Sequence, residues 1–186
     1  NQKFQTSSGF KSYYSLDLPI ISENNTLKNF YNYSHYFDLF DQNISSFSLM
    51  LRAANSITND NIKLSERINI PSRRLRGFEA GRVGPKDGED FIGGNYAAAM
   101  NFSSTLPQLF EESQNVDFLF FIDAANLWGV DYDNTLDDDG TIRSSTGIAL
   151  DWFTPVGPLN FSLSIPITKK NSDKTETFRF QLGTTF

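Results

Sequence analysis

One stretch of the sequence combines cationic and flexible residues in a way that suits a shaped, ion-pairing loop. SRRLRGFEAGRVGP, residues 72–85, holds four arginines and three glycines in a chain whose formal net charge is −6. Glycine frees the backbone for tight turns, and Gly84 followed by Pro85 is a further turn signal. An arginine held on such a turn inside a protein requires a carboxylate, because a buried unpaired charge is costly. Asp123, on the inward face of a predicted strand, is the available partner.

A second charged stretch, GVDYDNTLDDDGT at residues 129–141, has the aspartate density of a calcium loop. Its glycine position and its lack of a distal glutamate do not fit an EF-hand, so we interpret it as a solvated loop and predict no metal and no cofactor. His35 is the only histidine, and the chain contains no cysteine, which excludes thiolate chemistry. Because no serine lies in a nucleophile elbow, the sequence predicts no enzymatic activity.

The composition limits the partners of the chain. A sequence pI near 4.7 argues against nucleic-acid binding, which requires a net basic field. The 18 phenylalanines, 7 tyrosines and 2 tryptophans indicate that an aromatic surface exists somewhere in the fold.

Apolar residues recur at every second position in eight segments, which is the period of a β-strand. In the sixth segment, Ile142, Ile148 and Trp152 share one face, while Arg143 and Asp151 share the other. Consecutive segments read as hairpin neighbours, which predicts an antiparallel meander. The eight segments lie near 8–20, 26–41, 46–53, 96–102, 116–123, 142–152, 159–168 and 177–186.

The face opposite the apolar one consists mainly of small and polar residues, which is more typical of a lumen than of a wet surface. Aromatic residues near many segment ends match the girdles of a membrane barrel. We therefore predict one all-β domain over residues 1–186, a transmembrane antiparallel meander β-barrel of eight strands in outer-membrane lipid, with a soluble β-sandwich as the alternative. Residues 59–93 form a connection of about thirty-five residues, which belongs outside such a barrel or folded into it.

Five motifs occur in an order that resembles the BamA family of outer-membrane protein assembly factors of Gram-negative bacteria. The first, LRGF followed by GP, resembles the V-R-G-F/Y loop of that family. The five are LRGF at 75–78 with GP at 84–85, GGN at 93–95, FFIDAANLW at 120–128, SSTGIALDWFTPVGPLNFSLSIPI at 144–167 and FRFQLGTTF at 178–186.

The resemblance implies a sixteen-stranded barrel preceded by periplasmic POTRA domains, of which this chain holds the C-terminal half of the barrel. It implies that the arginine of the motif loop contacts acidic residues in the lumen, a role that falls to Arg76 and Asp123. Asn101 stands where the family often carries a second acid, and Ala125 replaces a family glycine. The remaining residues implied are Leu75, Gly77 and Phe78 in the loop, Gly93, Gly94 and Asn95 in the turn, and Phe178, Phe180, Leu182, Gly183 and Phe186 in the β-signal for membrane insertion.

The function implied by the resemblance is assembly and insertion of β-barrel proteins at the bacterial outer membrane. An incoming strand would pair with backbone groups exposed at the seam of the barrel. The partners implied are outer-membrane lipid, unfolded client proteins and the lipoproteins of the assembly complex. Two alternatives stay open: a small barrel of structural or anchoring role, and a transporter of the two-partner-secretion type.

A geometric conflict concerns the long connection. The interior of an eight-stranded barrel is filled by its own side chains, so a connection of this length cannot also lie inside. We expect a closed monomer in which the loop is expelled and mobile, the contact between Arg76 and Asp123 is lost, and the chain alone is inactive. The alternative is a pair of chains that forms a larger ring with room for the loop.

Overall fold

The computed structural model describes residues 8–19, 25–40, 43–58, 60–106, 115–138, 140–155 and 157–183. Parts of several predicted stretches lie outside these ranges, among them Asn59 at the start of the long connection, Asp139 of the acidic stretch and Phe186 at the end of the β-signal. In the described part of the chain, no helix has the length and apolarity needed to cross a membrane.

Eight of the ten strands in the described residues form one antiparallel sheet in which each strand pairs with its neighbours along the chain. This arrangement confirms the predicted all-β meander. The other two strands form a small hairpin inside the long connection. In chain order the strands are β1 (Gly9–Asp17), β2 (Thr26–Phe37), β3 (Ser45–Ser56), β4 (Lys86–Asp87), β5 (Asp90–Phe91), β6 (Tyr96–Thr105), β7 (Val116–Trp128), β8 (Arg143–Thr154), β9 (Gly157–Thr168) and β10 (Phe178–Leu182).

The sheet does not close, so the prediction of an eight-stranded closed barrel was wrong. Among the described residues, β1 pairs only with β2 and β10 pairs only with β9, which leaves both as edges of the sheet. The physical reason lies on the inner face, where the connection between β3 and β6 packs against the strands. A closed eight-stranded barrel has no space for such a connection, and an open sheet does.

The outer face of the sheet is apolar and exposed, as the lipid-facing side of a barrel must be. Ile165 on β9, for example, is 67% exposed. The register keeps apolar side chains of neighbouring strands on one face; Ile148, for example, lies opposite Phe120 on β7 and Leu163 on β9. They include Phe47, Leu51, Met100, Phe120, Ile122, Ile148, Trp152, Leu163, Ile165, Ile167, Phe178, Phe180 and Leu182.

The buried core lies between the inner face of the sheet and the long connection. Small residues of the strands leave room for larger side chains of the connection, so that the two interlock. The connection contributes Ile62, Ile68, Ile70, Leu75, Phe78 and Val83, and the sheet contributes Met50, Ala54, Ala97, Ala99, Ala125 and Leu127.

Candidate functional site

The motif loop, residues 72–85, crosses the inner face of the sheet. It begins with a 3₁₀ turn at Ser72–Arg74, and Leu75 and Phe78 then point into the core. Gly77 has φ of +87°, and a Cβ built on it would lie 3.2 Å from the Cβ atoms of Ser145 and Ser164. Glycine is therefore required here both by the backbone conformation and by the close approach to β8 and β9.

An ion pair between Arg76 and Asp123 fixes the loop to β7. The guanidinium Nε and Nη2 atoms each lie 2.7 Å from one carboxylate oxygen, and the Arg76 backbone N–H donates to Oδ2 at 3.0 Å. The Asp123 side chain is fully buried. The expectation that this contact is lost was wrong, because the open wall leaves the inner face free to receive the loop.

Asn101 completes the surroundings of the carboxylate from β6. Its amide nitrogen donates to Asp123 Oδ1 at 2.8 Å and to the Arg74 carbonyl at 2.9 Å. An asparagine thus supplies a hydrogen-bond donor to the loop backbone, which an ionised acid at this position does not do.

The guanidinium of Arg76 also stacks on β7. Its Cζ atom lies 3.5 Å from the centroid of the Phe121 ring, an arrangement in which a cation is attracted to the ring face. Gly147 on β8 lies opposite Phe121. A Cβ at Gly147 would approach the ring to 2.8 Å and the Leu163 carbonyl oxygen to 2.0 Å, so the absence of a side chain gives Phe121 its place. Ser145 on β8 donates to the Arg76 carbonyl.

Arg74 extends the contacts of the loop to the other half of the sheet. Its Nη1 atom donates to Ser48 Oγ at 2.8 Å and to Asn101 Oδ1 at 3.1 Å, and its Nη2 atom donates to Asn32 Oδ1 at 3.3 Å. The two arginines together connect the motif loop with strands β2, β3, β6 and β7.

The acidic stretch, predicted as a solvated loop, anchors the start of the long connection. Asp131 pairs with the buried Arg67 and accepts the Ile62 backbone N–H at 2.7 Å. Desolvation alone would raise the pKa of Asp131, but the Ile62 amide and the Arg67 charge outweigh it and lower the pKa below its usual value.

The predicted GGN turn returns the connection to β6. Gly94 exchanges two backbone hydrogen bonds with Ile68, at 2.8 and 3.0 Å, and a Cβ on it would lie 2.5 Å from the Trp128 carbonyl oxygen. Gly93 has φ of +72°, and Asn95 Oδ1 accepts from Arg67 Nη1 at 3.3 Å. These residues shape the base of the loop and do not touch Arg76 in any contact described.

A second buried ion pair holds the β9–β10 turn, residues 169–177. Arg143 Nε lies 3.0 Å from Asp173 Oδ2, and the two side chains are 1% and 0% exposed. This turn in turn pairs with the motif loop through a bridge between Phe78 and Thr175, and Glu176 N–H donates to the Gly77 carbonyl at 3.1 Å. Sequence reasoning missed the pair, because its members are 30 residues apart and lie outside the motifs.

The β-signal residues and their neighbours lie on opposite faces of β10. Phe178, Phe180 and Leu182 point outward and are exposed, and Gly183 follows the strand. Arg179 and Gln181 point inward and reach the motif loop. The alternation of these two residues with the aromatic residues predicts which face of the strand they occupy. It does not predict their partners.

The family model of the Omp85 superfamily domain matches residues 1–186. The chain belongs to the Omp85 superfamily. This membership agrees with the resemblance drawn from the motifs.

Several relatives indicate which members of the Omp85 superfamily this chain resembles. The outer membrane protein assembly factor BamA of Neisseria meningitidis is 32% identical over 139 residues, which are 60% of this chain and 17% of that protein. BamA of Neorickettsia risticii is 27% identical over 156 residues, 81% of this chain and 21% of that protein. A SAM50-like protein of Schizosaccharomyces pombe is 33% identical over 135 residues, 68% of this chain and 28% of that protein.

A solved structure resembles this Omp85 chain over nearly its whole length. The crystal structure of BamA from Haemophilus ducreyi lacking POTRA domains 1–3 superposes with a TM-score of 0.83 at 29% identity. The match covers 97% of this chain and 39% of that one. The predicted BamA family is thereby confirmed, and so is the bacterial outer membrane as the location. The chain spans about a sixth to two fifths of the length of these BamA proteins.

Proposed function

We propose that this Omp85 chain forms the C-terminal half of the barrel wall of an outer-membrane protein assembly factor, a protein that inserts β-barrel clients into the membrane. The observation that supports this most strongly is the superposition of wall and loop together on a BamA barrel, with a TM-score of 0.83 over 97% of the chain. The ion pair between Arg76 and Asp123, which we call the clasp, is the site that we associate with this function, because it holds the motif loop against the inner face.

The chemistry of this function is hydrogen bonding between strands. β10 pairs on one side with β9, and no described strand covers its other side. The unpaired N–H and C=O groups of an edge strand are a template for another strand, so a client strand that arrives in the membrane finds partners there. No bond of the client breaks, and we accordingly propose that the chain is not an enzyme and uses no cofactor.

The apolar outer face defines the second partner, lipid. A client strand that pairs at β10 continues the outward row of Phe178, Phe180 and Leu182, and its own apolar face enters the bilayer in register with the wall. We further propose that the unfolded client and the assembly lipoproteins act on the full-length protein, and that the chain alone lacks activity.

The test is site-specific photo-cross-linking in liposomes. The full-length protein carries a photoreactive amino acid either at Leu182 on β10 or at Ile148 on β8, and an unfolded client barrel is added. Both sites are exposed on the outer face, but Ile148 lies within the sheet and Leu182 on its edge strand.

We expect the client to fold and to cross-link from Leu182 and not from Ile148. Client folding no faster than in empty liposomes would contradict the proposal, and so would equal cross-linking from the two sites. A structural anchor is expected to give neither client folding nor a cross-link from Leu182. A polypeptide transporter passes the client through its lumen, and client released inside the vesicles would favour that alternative.

A further inference from the structure

Arg179 on β10 makes unusually many contacts for a residue of an edge strand. Its Nη1 atom donates to the Ser72 carbonyl at 2.7 Å, and its Nη2 atom donates to the Phe78 carbonyl at 2.5 Å. Its Nε and Nη2 atoms lie 2.9 and 2.6 Å from Glu176 Oε2. The side chain is only 10% exposed. One guanidinium therefore binds both ends of the turn that carries Arg76.

Gln181, the other inward residue of β10, binds the same segment. Its amide nitrogen donates to Ser72 Oγ at 3.0 Å. The two inward side chains of the strand thus both end on the motif loop.

Within the described residues, the backbone ladder of β10 is shorter than that of the central strands. Its register with β9 covers the five positions 178–182, with one further backbone hydrogen bond at each end, from Ser164 N–H to the Thr177 carbonyl and from Gly183 N–H to the Pro158 carbonyl, whereas β2 and β3 pair over twelve positions. Fewer ladder hydrogen bonds hold this strand, so the contacts of Arg179 and Gln181 supply a larger share of what keeps it in place.

We propose that Arg179 is a positioning residue that couples the motif loop to β10, so that the position of the loop sets how freely the edge of β10 can pair. The coupling itself is a property of this chain. Its consequence for a client strand rests on the function proposed above.

The coupling follows from the geometry of the guanidinium. Asp123 holds Arg76, and Arg76 fixes the two flanking carbonyls that Arg179 binds. If the loop leaves the wall, Arg179 keeps only Glu176, and β10 loses its inner support. Lysine cannot replace this arginine, because its ammonium lacks the planar fork that reaches two carbonyls and a carboxylate together.

A matched control is available in the same groove. Arg82 lines the groove between the loop and β10, but its guanidinium stacks 5.8 Å from the Phe91 ring centroid and makes no described contact with β10. Arg82→Ala removes an equal charge and an equal side chain from the groove and leaves the coupling intact.

The test is hydrogen–deuterium exchange of the full-length protein in lipid nanodiscs, followed in two segments, 72–79 and 178–182. The variants are Arg179→Ala, Arg179→Lys, Arg82→Ala, Asp123→Asn, and Asp123→Asn combined with Arg179→Ala. Client insertion into liposomes is measured for each variant in parallel.

We expect Arg179→Ala to raise exchange in both segments about ten-fold, since hydrogen bonds of a charged group are lost. Arg179→Lys should raise exchange in both segments less, and Arg82→Ala should change neither. Asp123→Asn should also raise exchange in 178–182. Adding Asp123→Asn to Arg179→Ala should raise exchange in that segment no further than Arg179→Ala alone. Unchanged exchange of 72–79 in Arg179→Ala, or additive effects in the double variant, would overturn the coupling.

The rate of client insertion distinguishes a failure of this inference from a failure of the proposed function. Coupled exchange together with altered insertion rates supports both. Coupled exchange in a wild-type protein that inserts no client overturns the proposed function and leaves the coupling standing. Coupled exchange with the Arg179→Ala variant inserting clients at the wild-type rate overturns the control of pairing by the loop.

Discussion

Asp123 is the residue on which the position of the motif loop depends most directly. Its carboxylate accepts four hydrogen bonds, three from Arg76 and one from Asn101, with no exposure to solvent. Buried ion pairs contribute little relative to apolar substitutes, but removal of one partner leaves the other charge buried and unpaired. The carboxylate therefore specifies where the loop lies rather than adding much net stability.

Asp123→Ala is expected to lower the free energy of unfolding by about 3–5 kcal/mol, because Arg76 loses its counter-charge in a buried site. The measurement is urea unfolding of the full-length protein in detergent micelles. Asp133→Asn serves as the control, since the Asp133 carboxylate accepts local hydrogen bonds from Thr135. An unchanged urea midpoint for Asp123→Ala would show that the clasp contributes nothing to the folded state.

Gly147→Ala is expected to destabilise the protein by about 1–3 kcal/mol through overpacking. The added Cβ would meet the Leu163 carbonyl oxygen at 2.0 Å and would displace the Phe121 ring from under Arg76. Gly140→Ala is the matched control, because its nearest atom lies at 3.7 Å. Equal urea midpoints for the two variants would refute the packing argument.

Among the elements, the strands were predictable and the ion pairs largely were not. Alternation with period two reveals a strand directly, and the identity of the small, polar face predicted which side is the lumen. The pairs Arg67 with Asp131 and Arg143 with Asp173 join residues 64 and 30 positions apart, and no local pattern encodes such distances. The role of Asp123 was predictable only because the sequence indicated both the strand face on which it lies and the motif to which it belongs.

The long connection illustrates the same limit. Its length was predicted, but its interior, with a β4–β5 hairpin and apolar side chains that fill the core, follows from packing against the wall. The expectation that it would be expelled was wrong, because it assumed that the eight strands close.

Acid is expected to release the start of this connection. Since the folded pKa of Asp131 lies below the unfolded value of about 3.9, its ion pair stabilises the fold above that pH and is lost as the pH falls through the folded pKa. Hydrogen exchange of residues 60–68 at a series of pH values, corrected for the intrinsic pH dependence of exchange, measures this.

Asp131→Asn should show the faster corrected exchange already at neutral pH and lose the acid response. Asp90→Asn, at an exposed position of the β4–β5 hairpin, should retain it. A wild-type protein with the same corrected exchange at pH 6 and below pH 4 would contradict the assignment.

For the whole molecule, the decisive feature is the polarity of the two faces of the sheet. The exposed side is apolar and the covered side is small and polar, which is the reverse of a soluble sandwich and suits a wall between lipid and lumen. In the described residues one edge of β1 and one edge of β10 are unpaired, which agrees with the proposal that further strands pair there.

Ile148→Arg tests the lipid-facing assignment. A guanidinium at the bilayer midplane is expected to destabilise the wall by about 2–4 kcal/mol, and one near the interface by only about 0–1 kcal/mol. Ile142→Arg, just before the start of β8, is the interfacial control. Unfolding in lipid bilayers measures both, and equal effects would show that Ile148 does not face the bilayer centre.

The central claim is that the clasped motif loop serves assembly, and client insertion by Arg76→Ala tests it most directly. The full-length protein, its variant and the Arg82→Ala control are reconstituted at equal folded amounts in liposomes, and the rate of client folding is measured. We predict a rate at least about ten-fold lower for Arg76→Ala, equivalent to ~1.4 kcal/mol, and a wild-type rate for Arg82→Ala. Client folding by Arg76→Ala at the wild-type rate would contradict the account.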